Sequence, residues 1–244
     1  MQPDDSQVLT DGVVDKLEQL IFDGRYRPGE KLREQLLAQE LGVSRGPLRE
    51  AIRTLEGRRL LHRTPRAGVQ VVGVSLADLE QILLTREALE GMAARQAAEN
   101  MTTAEVNALR NTQSGLARAP QPAPARRAPH KGMSNAVKPR QLISRAQDAA
   151  GAVFSAGPDN DFHRLIAKGS RNRWLENLLV KDVYSLLRLY RMQAARRPDV
   201  TDSLAEHHTI INRIHARDGE GAEAAMRAHL RGSRARMLAA AASG

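Results

Sequence analysis

The chain has 244 residues, of which 41% are hydrophobic, 27% are charged and none is cysteine, so it is long enough for one or two hydrophobic cores. The lack of cysteine excludes disulfide scaffolds and cysteine-ligated zinc or iron–sulfur sites. The apolar stretches are short and acidic residues are scattered through the first thirty positions, so we expect neither a signal peptide nor a transmembrane span, and a cytoplasmic location.

The net charge of +9 is not spread evenly along the chain. Between positions 106 and 147 there are eight basic residues and no acidic one, which leaves 29 basic and 28 acidic residues elsewhere. A second basic cluster lies at residues 45–66, which contain seven arginines and two glutamates. Any case for nucleic-acid binding therefore depends on local clustering rather than on total charge.

Three helices are predicted at the start of the chain. The first has apolar residues at helical spacing and stops near Gly24. The second covers about residues 33–40 and is followed by Gly42, a residue suited to a C-terminal cap. Ser44 is predicted to cap the third, whose first turn tolerates Pro47 because the early amides lack helical acceptors. The apolar stripe of this third helix is Leu48, Ala51, Ile52 and Leu55.

The third predicted helix carries a row of arginines opposite its apolar stripe. Arg45, Arg49 and Arg53 stand at i, i+4 and i+8, a row about 12 Å long that suits a DNA major groove. The alternative is that they form the solvated face of an amphipathic helix. Gly42 and Ser44 lie where the turn of a helix-turn-helix needs them, and a predicted hairpin follows the third helix. Both features favour the DNA-binding interpretation.

A β-hairpin is predicted directly after these helices. Residues 60–63 lead into a turn at 64–68, and residues 69–72 alternate as a half-buried strand does. A helix-turn-helix followed by such a wing is typical of a winged-helix DNA-binding domain, which we assign to residues 1–73.

Two stretches of this region resemble the GntR family of bacterial transcription regulators: PGEKLRE at 28–34 and LGVSRGPLREAIRTLE at 41–56. The resemblance implies that Arg45 and Arg49 contact bases of a double-stranded operator, that Gly46 lets the helix approach the DNA backbone, and that Gly68 lies at the wing tip. Gln35 is a departure, because many members have an arginine there. The predicted DNA-binding set is Arg33, Gln35, Ser44, Arg45, Gly46, Arg49, Arg53, Arg66 and Gly68.

From position 75 onward the pattern is helical. Ser75 and Asp78 have capping-box spacing and open a helix that runs to about Asn100, with apolar positions that include Met92. Ser203 and Glu206 have the same spacing at a later helix. Further helices are predicted from residue 102 or 103 and near 159–168, 174–196, 203–217 and 220–238, without convincing strand alternation. The predicted fold class is mostly α, with an N-terminal winged helix-turn-helix and a C-terminal all-α bundle over residues 75–244.

Four residues on the apolar faces of these helices form a possible metal site. They are Asp159, His163, His207 and His229. One carboxylate and three neutral imidazoles suit a divalent ion such as zinc, nickel or manganese. The alternative is that the histidines are ordinary core or surface groups, and His208, next to His207, competes for the same role.

The same region resembles the effector-binding FCD domain of the FadR branch of GntR regulators. The matching segments are DNDFHR at 159–164, GSRN at 169–172, EHHTI at 206–210 and residues 218–230. The resemblance implies that Asp159, His163, His207 and His229 bind a metal that helps to hold a small carboxylate effector. Residues 85–90 also match and imply that Arg86 pairs with the effector carboxylate, the alternative being a structural arginine.

The segment at about 113–150 does not fit a helical bundle. Prolines at 120, 122, 124 and 129 exclude a helix there, and the composition is rich in Pro, Arg and Ala. Two explanations stay open: a frameshifted stretch in the source sequence, or a genuine basic linker.

Together these patterns predict a ligand-responsive transcription regulator that acts as a homodimer, since one small reading module selects too few base pairs to define a genomic site. We expect no enzyme, because no general base or nucleophile stands out beyond the candidate ligands. The alternatives are a metal-dependent enzyme built on the bundle and a regulator whose sensor no longer responds to effector.

Overall fold

The computed structural model describes residues 5–65, 68–116, 158–193 and 203–242. Its N-terminal part has the predicted order of helix, helix, helix and hairpin, with one further short strand. The elements are α1 (Asp5–Phe22), β1 (Lys31–Leu32), α2 (Glu34–Leu41), α3 (Arg45–Gly57), β2 (Leu61–Thr64) and β3 (Gly68–Val71).

The core of this part lies where α1 packs against α3. The predicted stripe of α3 is completely buried, as are Leu17 and Ile21 of α1. Full burial of a leucine or isoleucine side chain contributes about 1.5–3 kcal/mol. The opposite face of α3 is therefore free to carry charge without loss of packing.

The turn between α2 and α3 has the predicted glycine C-cap, but it lacks the predicted capping hydrogen bond from the Ser44 side chain. Gly42 has a φ of 67° and donates its N–H to the carbonyls of Ala38 and Gln39, as a left-handed C-cap does. Ser44 takes the N-cap position of α3, yet its side chain makes no capping hydrogen bond. The prediction of a side-chain cap was wrong, because the extended backbone alone leads into this helix.

A three-stranded antiparallel sheet forms the wing, in the order β1-β3-β2. In the hairpin Thr64 pairs with Gly68, and Leu32 of β1 pairs with Val69 on the other side of β3. β1 was not predicted, since two residues are too few for an alternation signal. It fixes the wing to the segment that precedes α2.

The C-terminal part is helical throughout the described residues. Ser75 and Asp78 form the predicted capping box, each side chain bonding the other residue's amide at 3.1 Å. The predicted single helix at 174–196 is interrupted by a π-helical segment. The elements are α4 (Leu76–Asn100), α5 (Thr103–Leu116), α6 (Pro158–Gly169), α7 (Arg173–Asn177), the π-helical segment (Leu178–Val183), α8 (Tyr184–Gln193), α9 (Ser203–His215) and α10 (Gly219–Ala242).

The long helices α4 and α10 pack against each other along much of their length. Small buried residues on α4 permit this approach, and a Cβ on Gly91 would lie 2.9 Å from the Arg227 side chain.

Three further predictions concern this part of the chain. Met92 is 49% exposed, so the prediction that it lies on the apolar face of its helix was wrong. None of the described helices is long and apolar enough to cross a bilayer. The segment at 113–150 lies outside the described residues except for the end of α5.

The end of α8 contacts the winged helix. The Val74 amide donates a 2.9 Å hydrogen bond to Oε1 of Gln193, and the Arg188 guanidinium lies 4.2 Å from the centre of the Phe22 ring. A cation over an aromatic face contributes about 0.5–2 kcal/mol. The helix α8 is therefore a physical link between the two parts of the chain.

The wing turn gives the first prediction. Gly68 has a φ of 88°, and a Cβ there would lie 3.0 Å from Cε of Lys31. We expect Gly68→Ala to lower the free energy of unfolding by about 1–2 kcal/mol, since L-residues resist this conformation. Urea denaturation measures the change. The control is Gly57→Ala, whose Cβ would enter open space. Equal stability of the two variants would contradict the left-handed conformation of Gly68.

Candidate functional sites

The helix α3 presents the predicted arginine row to solvent. Arg45, Arg49 and Arg53 are all exposed, and so are Ser44 and Gly46 at the start of the helix. Arg53 pairs with Glu50 at 2.6 Å, and Nε of Arg49 lies 3.5 Å from Glu34. The row is thus accessible along one side of a helix whose other side is fixed in the core.

The remaining predicted DNA-binding residues within the described part of the chain lie at the start of α2 and on the wing. Arg33 and Gln35 are exposed beside the first turn of α2. Gly68 pairs with Thr64 near the wing turn, while Arg66 lies outside the described residues. The start of α2 and the outer face of α3 therefore both present polar side chains to solvent, next to the wing. Winged-helix proteins use this arrangement to bind DNA.

Inside the bundle, three histidines from three helices meet. His163 of α6, His207 of α9 and His229 of α10 are 2%, 0% and 4% exposed. One nitrogen from each lies within 4.8 Å of the others, and the Nε2 atoms of His207 and His229 are 3.3 Å apart. The structure brings together these three predicted ligands.

Packing explains why the imidazoles point inward. His163 is flanked by buried Phe162 and by Ile166 one turn later, and the Phe162 ring stacks on His207 with centroids 3.9 Å apart. Met226 and Leu230 flank His229 in the same way. Each histidine thus belongs to an apolar helix face that is fixed by burial.

Two carboxylates orient this cluster by contacting the Nδ1 atoms of two of its histidines. Nδ1 of His163 lies 2.5 Å from Oε2 of Glu90, and Nδ1 of His229 lies 2.6 Å from Oε2 of Glu206. A neutral imidazole that donates Nδ1–H to a carboxylate has its lone pair on Nε2. The two contacts therefore select the tautomer in which Nε2 can bind a ligand.

Glu90 also joins the cluster to Arg86, one turn earlier on α4. Nε of Arg86 donates to Oε1 of Glu90 at 2.5 Å, and both side chains are almost fully buried. Burial alone would raise the pKa of Glu90, but the nearby Arg86 and His163 hold it well below its usual range. Glu90 is thus a buried anion shared by an arginine and a histidine.

Tyr184 at the start of α8 lies on the other side of this pair. Its ring centre is 6.0 Å from the guanidinium carbon of Arg86. Burial, and the negative charge of Glu90, raise the pKa of Tyr184 well above its ordinary value, so it stays a neutral phenol. The first residue of α8 therefore contacts the charged group behind the histidines.

Several sequence predictions around the cluster have mixed outcomes. Asp159 lies in α6 one turn before His163, but its side chain is outside the described residues. His208 is exposed, so His207 and not its competitor His208 faces the cluster. Neither Glu90 nor Glu206 was among the predicted site residues. The position of Glu90 within the 85–90 match was the available signal, whereas Glu206 looked like a capping residue.

Comparison with known proteins agrees with both halves of this description. The family profile "Bacterial regulatory proteins, gntR family" matches residues 9–71, and the FCD domain profile matches residues 81–232, more than half of the chain. An uncharacterized HTH-type transcriptional regulator of Bacillus subtilis, YdhC, is 28% identical over 88% of this chain and 84% of its own. A probable D-xylose utilization operon transcriptional repressor of Paenarthrobacter nicotinovorans is 26% identical over 86% and 80%.

Solved structures share the fold. Escherichia coli McbR/YncC superposes with a TM-score of 0.65 at 21% identity, covering 94% of this chain and 96% of its own. A putative GntR transcriptional regulator from Rhodococcus sp. RHA1 gives a TM-score of 0.64 at 22% identity, covering 94% and 97%.

The fold and the matching family models define a transcription regulator that couples a winged-helix DNA-binding domain to a helical effector domain. The chain belongs to the GntR family and has an FCD effector domain. The relatives are named as transcriptional regulators or repressors, so the enzyme alternative is set aside.

The buried carboxylate gives the second prediction. We expect Glu90→Gln to lower the free energy of unfolding by about 3–5 kcal/mol, because it removes one charge of a buried ion pair. Urea denaturation followed by circular dichroism measures this change. Glu80→Gln on the exposed side of the same helix is the control and should stay within about 0.5 kcal/mol of wild type. A loss of only about 0.5 kcal/mol in Glu90→Gln would contradict the stabilising role of the buried pair of Glu90 and Arg86.

Proposed function

We propose that the protein is a ligand-responsive regulator, acting on chromosomal DNA in the cytoplasm, whose effector is a small carboxylate held at a metal site. The observation that carries this proposal is the convergence of His163, His207 and His229, with carboxylates behind two of them. A histidine that binds a metal through one ring nitrogen usually donates the N–H of the other ring nitrogen to a carboxylate. Asp159, one turn before His163, is proposed as the fourth ligand.

The donor set fits a borderline divalent ion. Two imidazole nitrogens bound to one tetrahedral zinc lie roughly 3.3 Å apart, which matches the 3.3 Å between Nε2 of His207 and Nε2 of His229. Zinc, nickel and manganese all accept such nitrogen donors. When bound, the ion would supply a positive charge to which an effector carboxylate can coordinate.

Arg86 is proposed as the second partner of the effector carboxylate. Its guanidinium is permanently charged and binds carboxylates bidentately, and its contact with Glu90 holds it, buried, next to the histidine cluster. Burial strengthens such a contact because water competes less. Glu90 holds both Arg86 and His163, and it therefore fixes the distance between the two groups proposed to bind the effector.

The helix α8 offers a route from this site to the DNA-binding domain. Its first residue, Tyr184, lies beside Arg86 and Glu90, while Arg188 and Gln193 contact Phe22 and Val74. A helix is stiff over ten residues, so a shift at its start is passed to its end. We propose that effector binding changes the position of α8 and thereby the presentation of α3.

The active unit is proposed to be a homodimer on an operator with two half-sites. A single reading helix contacts only a few base pairs, and a second copy is needed to select one site in a genome. The exposed arginine row supplies one reading surface per chain.

Metal loading gives the third prediction. Chelator-treated protein reloaded with zinc, nickel or manganese is expected to hold about one ion per chain and to melt at a higher temperature, because the ligands join separate helices. His207→Ala and His229→Ala should each reduce both metal content and melting temperature. The measurements are elemental analysis and thermal denaturation.

His208→Ala is the matched control for the metal prediction, since His208 is the exposed neighbour of His207 on the same helix. It should keep wild-type metal content. A wild-type protein that takes up none of the three ions and melts unchanged in their presence would contradict the metal site and leave the DNA-binding function intact.

DNA reading gives the fourth prediction. Arg49→Ala is expected to weaken binding to an operator selected from random duplexes by about 1–3 kcal/mol and to relax preference at one base pair. Arg95→Ala removes the same charge from the effector domain and should leave that preference unchanged. Fluorescence anisotropy measures both. Full selectivity in Arg49→Ala would contradict the assignment of α3 as the reading helix.

A further inference from the structure

A carboxylate lies within the surface that faces DNA. Glu34 is the first residue of α2, and its two oxygens contact arginines from two other elements. Oε2 lies 3.5 Å from Nε of Arg49 on α3, and Oε1 accepts a 3.1 Å hydrogen bond from Nη1 of Arg63 on β2. One side chain thus touches the reading helix and the wing together.

Arg63 has a second carboxylate partner. Its Nε lies 3.2 Å from Oε1 of Glu56, which belongs to α3. The guanidinium is therefore held between α2 and α3 although the residue itself stands on the hairpin. This contact fixes the base of the wing relative to the reading helix.

Stability does not account for an acidic residue at this place. The side chains of Arg49 and Arg63 are 60% and 49% exposed, and ion pairs with such exposure contribute about 0–1 kcal/mol. A carboxylate on a DNA-facing surface also repels phosphates and weakens sequence-independent binding. Its benefit must therefore lie in how the arginines are oriented.

The Arg49 contact has a specific consequence for base reading. An arginine reads guanine with two N–H groups directed at O6 and N7. The Glu34 contact is made at Nε, on the inner side of the guanidinium, whereas an end-on bidentate contact with guanine uses the two terminal nitrogens. An oriented guanidinium also loses less rotamer freedom when the base contact forms.

We propose that Glu34 is a specificity-determining positioning residue: it orients Arg49 for base reading, joins the wing to α2 through Arg63, and weakens binding to non-operator DNA. This inference rests on the proposed role of α3 as the reading helix. It assigns to Arg63 a positioning role in place of a direct base contact.

The test compares Glu34→Gln with wild type on two duplexes. One is an operator that wild-type protein enriches from random sequence, and the other is a scrambled duplex of equal length. Glu34→Gln is expected to lower the ratio of specific to non-specific affinity by roughly tenfold, the size of one impaired base contact. Its affinity for the scrambled duplex should equal or exceed that of wild type, because a negative charge is lost.

Two further variants separate orientation from charge. Glu40→Gln loses the same charge on the same helix, but Glu40 pairs with Arg25 and Tyr26, so its ratio should stay at the wild-type value. Glu34→Asp keeps the charge with a shorter reach, and we expect a ratio between those of wild type and Glu34→Gln. Thermal melts of each variant confirm that the domain is folded.

A wild-type ratio in folded Glu34→Gln, or an equal loss in Glu40→Gln, would overturn the inference. The proposed function fails in a different way, since a wild-type protein that enriches no sequence, or an Arg49→Ala variant with full selectivity, contradicts the reading helix itself. A selective wild type with a reduced ratio in Glu34→Gln alone supports both.

Discussion

The effector domain depends on one buried carboxylate. Glu90 accepts from Arg86 on its own helix and from His163 on α6, and it lies beside Tyr184 of α8. A buried charge is tolerated only when it is paired and hydrogen-bonded, so these partners must stay close to Glu90. The same contacts that permit its burial thereby hold together Arg86, the proposed effector-binding arginine, the histidine cluster and the helix that contacts the DNA-binding domain.

The two domains share a design in which an acid orients a functional cation or imidazole. Glu90 and Glu206 set the direction of two histidines inside the bundle, and Glu34 sets the direction of two arginines on the surface. The physical setting differs, because Glu90 is buried, the Glu206 side chain is 34% exposed, and the surface pairs of Glu34 are screened and weak. Glu90 therefore affects stability as well as geometry, while Glu34 affects orientation with little effect on stability.

The helices were predictable because apolar residues recur at helical spacing and caps such as Gly42 and Ser75 mark their ends. The two-residue strand β1 and the π-helical segment carry no periodic signal of their own. The inward direction of His163, His207 and His229 was visible from their apolar neighbours, but the roles of Glu90 and Glu206 were not. A carboxylate on a helix is usually predicted to be a surface residue. Only the packing of separate helices places these two carboxylates in contact with the imidazoles.

The central claim is that the buried histidine cluster is the metal centre of an effector site. The most direct measurement is anomalous X-ray diffraction from crystals of the zinc-loaded full chain, collected on both sides of the zinc absorption edge. The account predicts one anomalous peak per chain, bounded by the Nε2 atoms of His163, His207 and His229. A peak at another position, or no peak among these three nitrogens at saturating zinc, would contradict it.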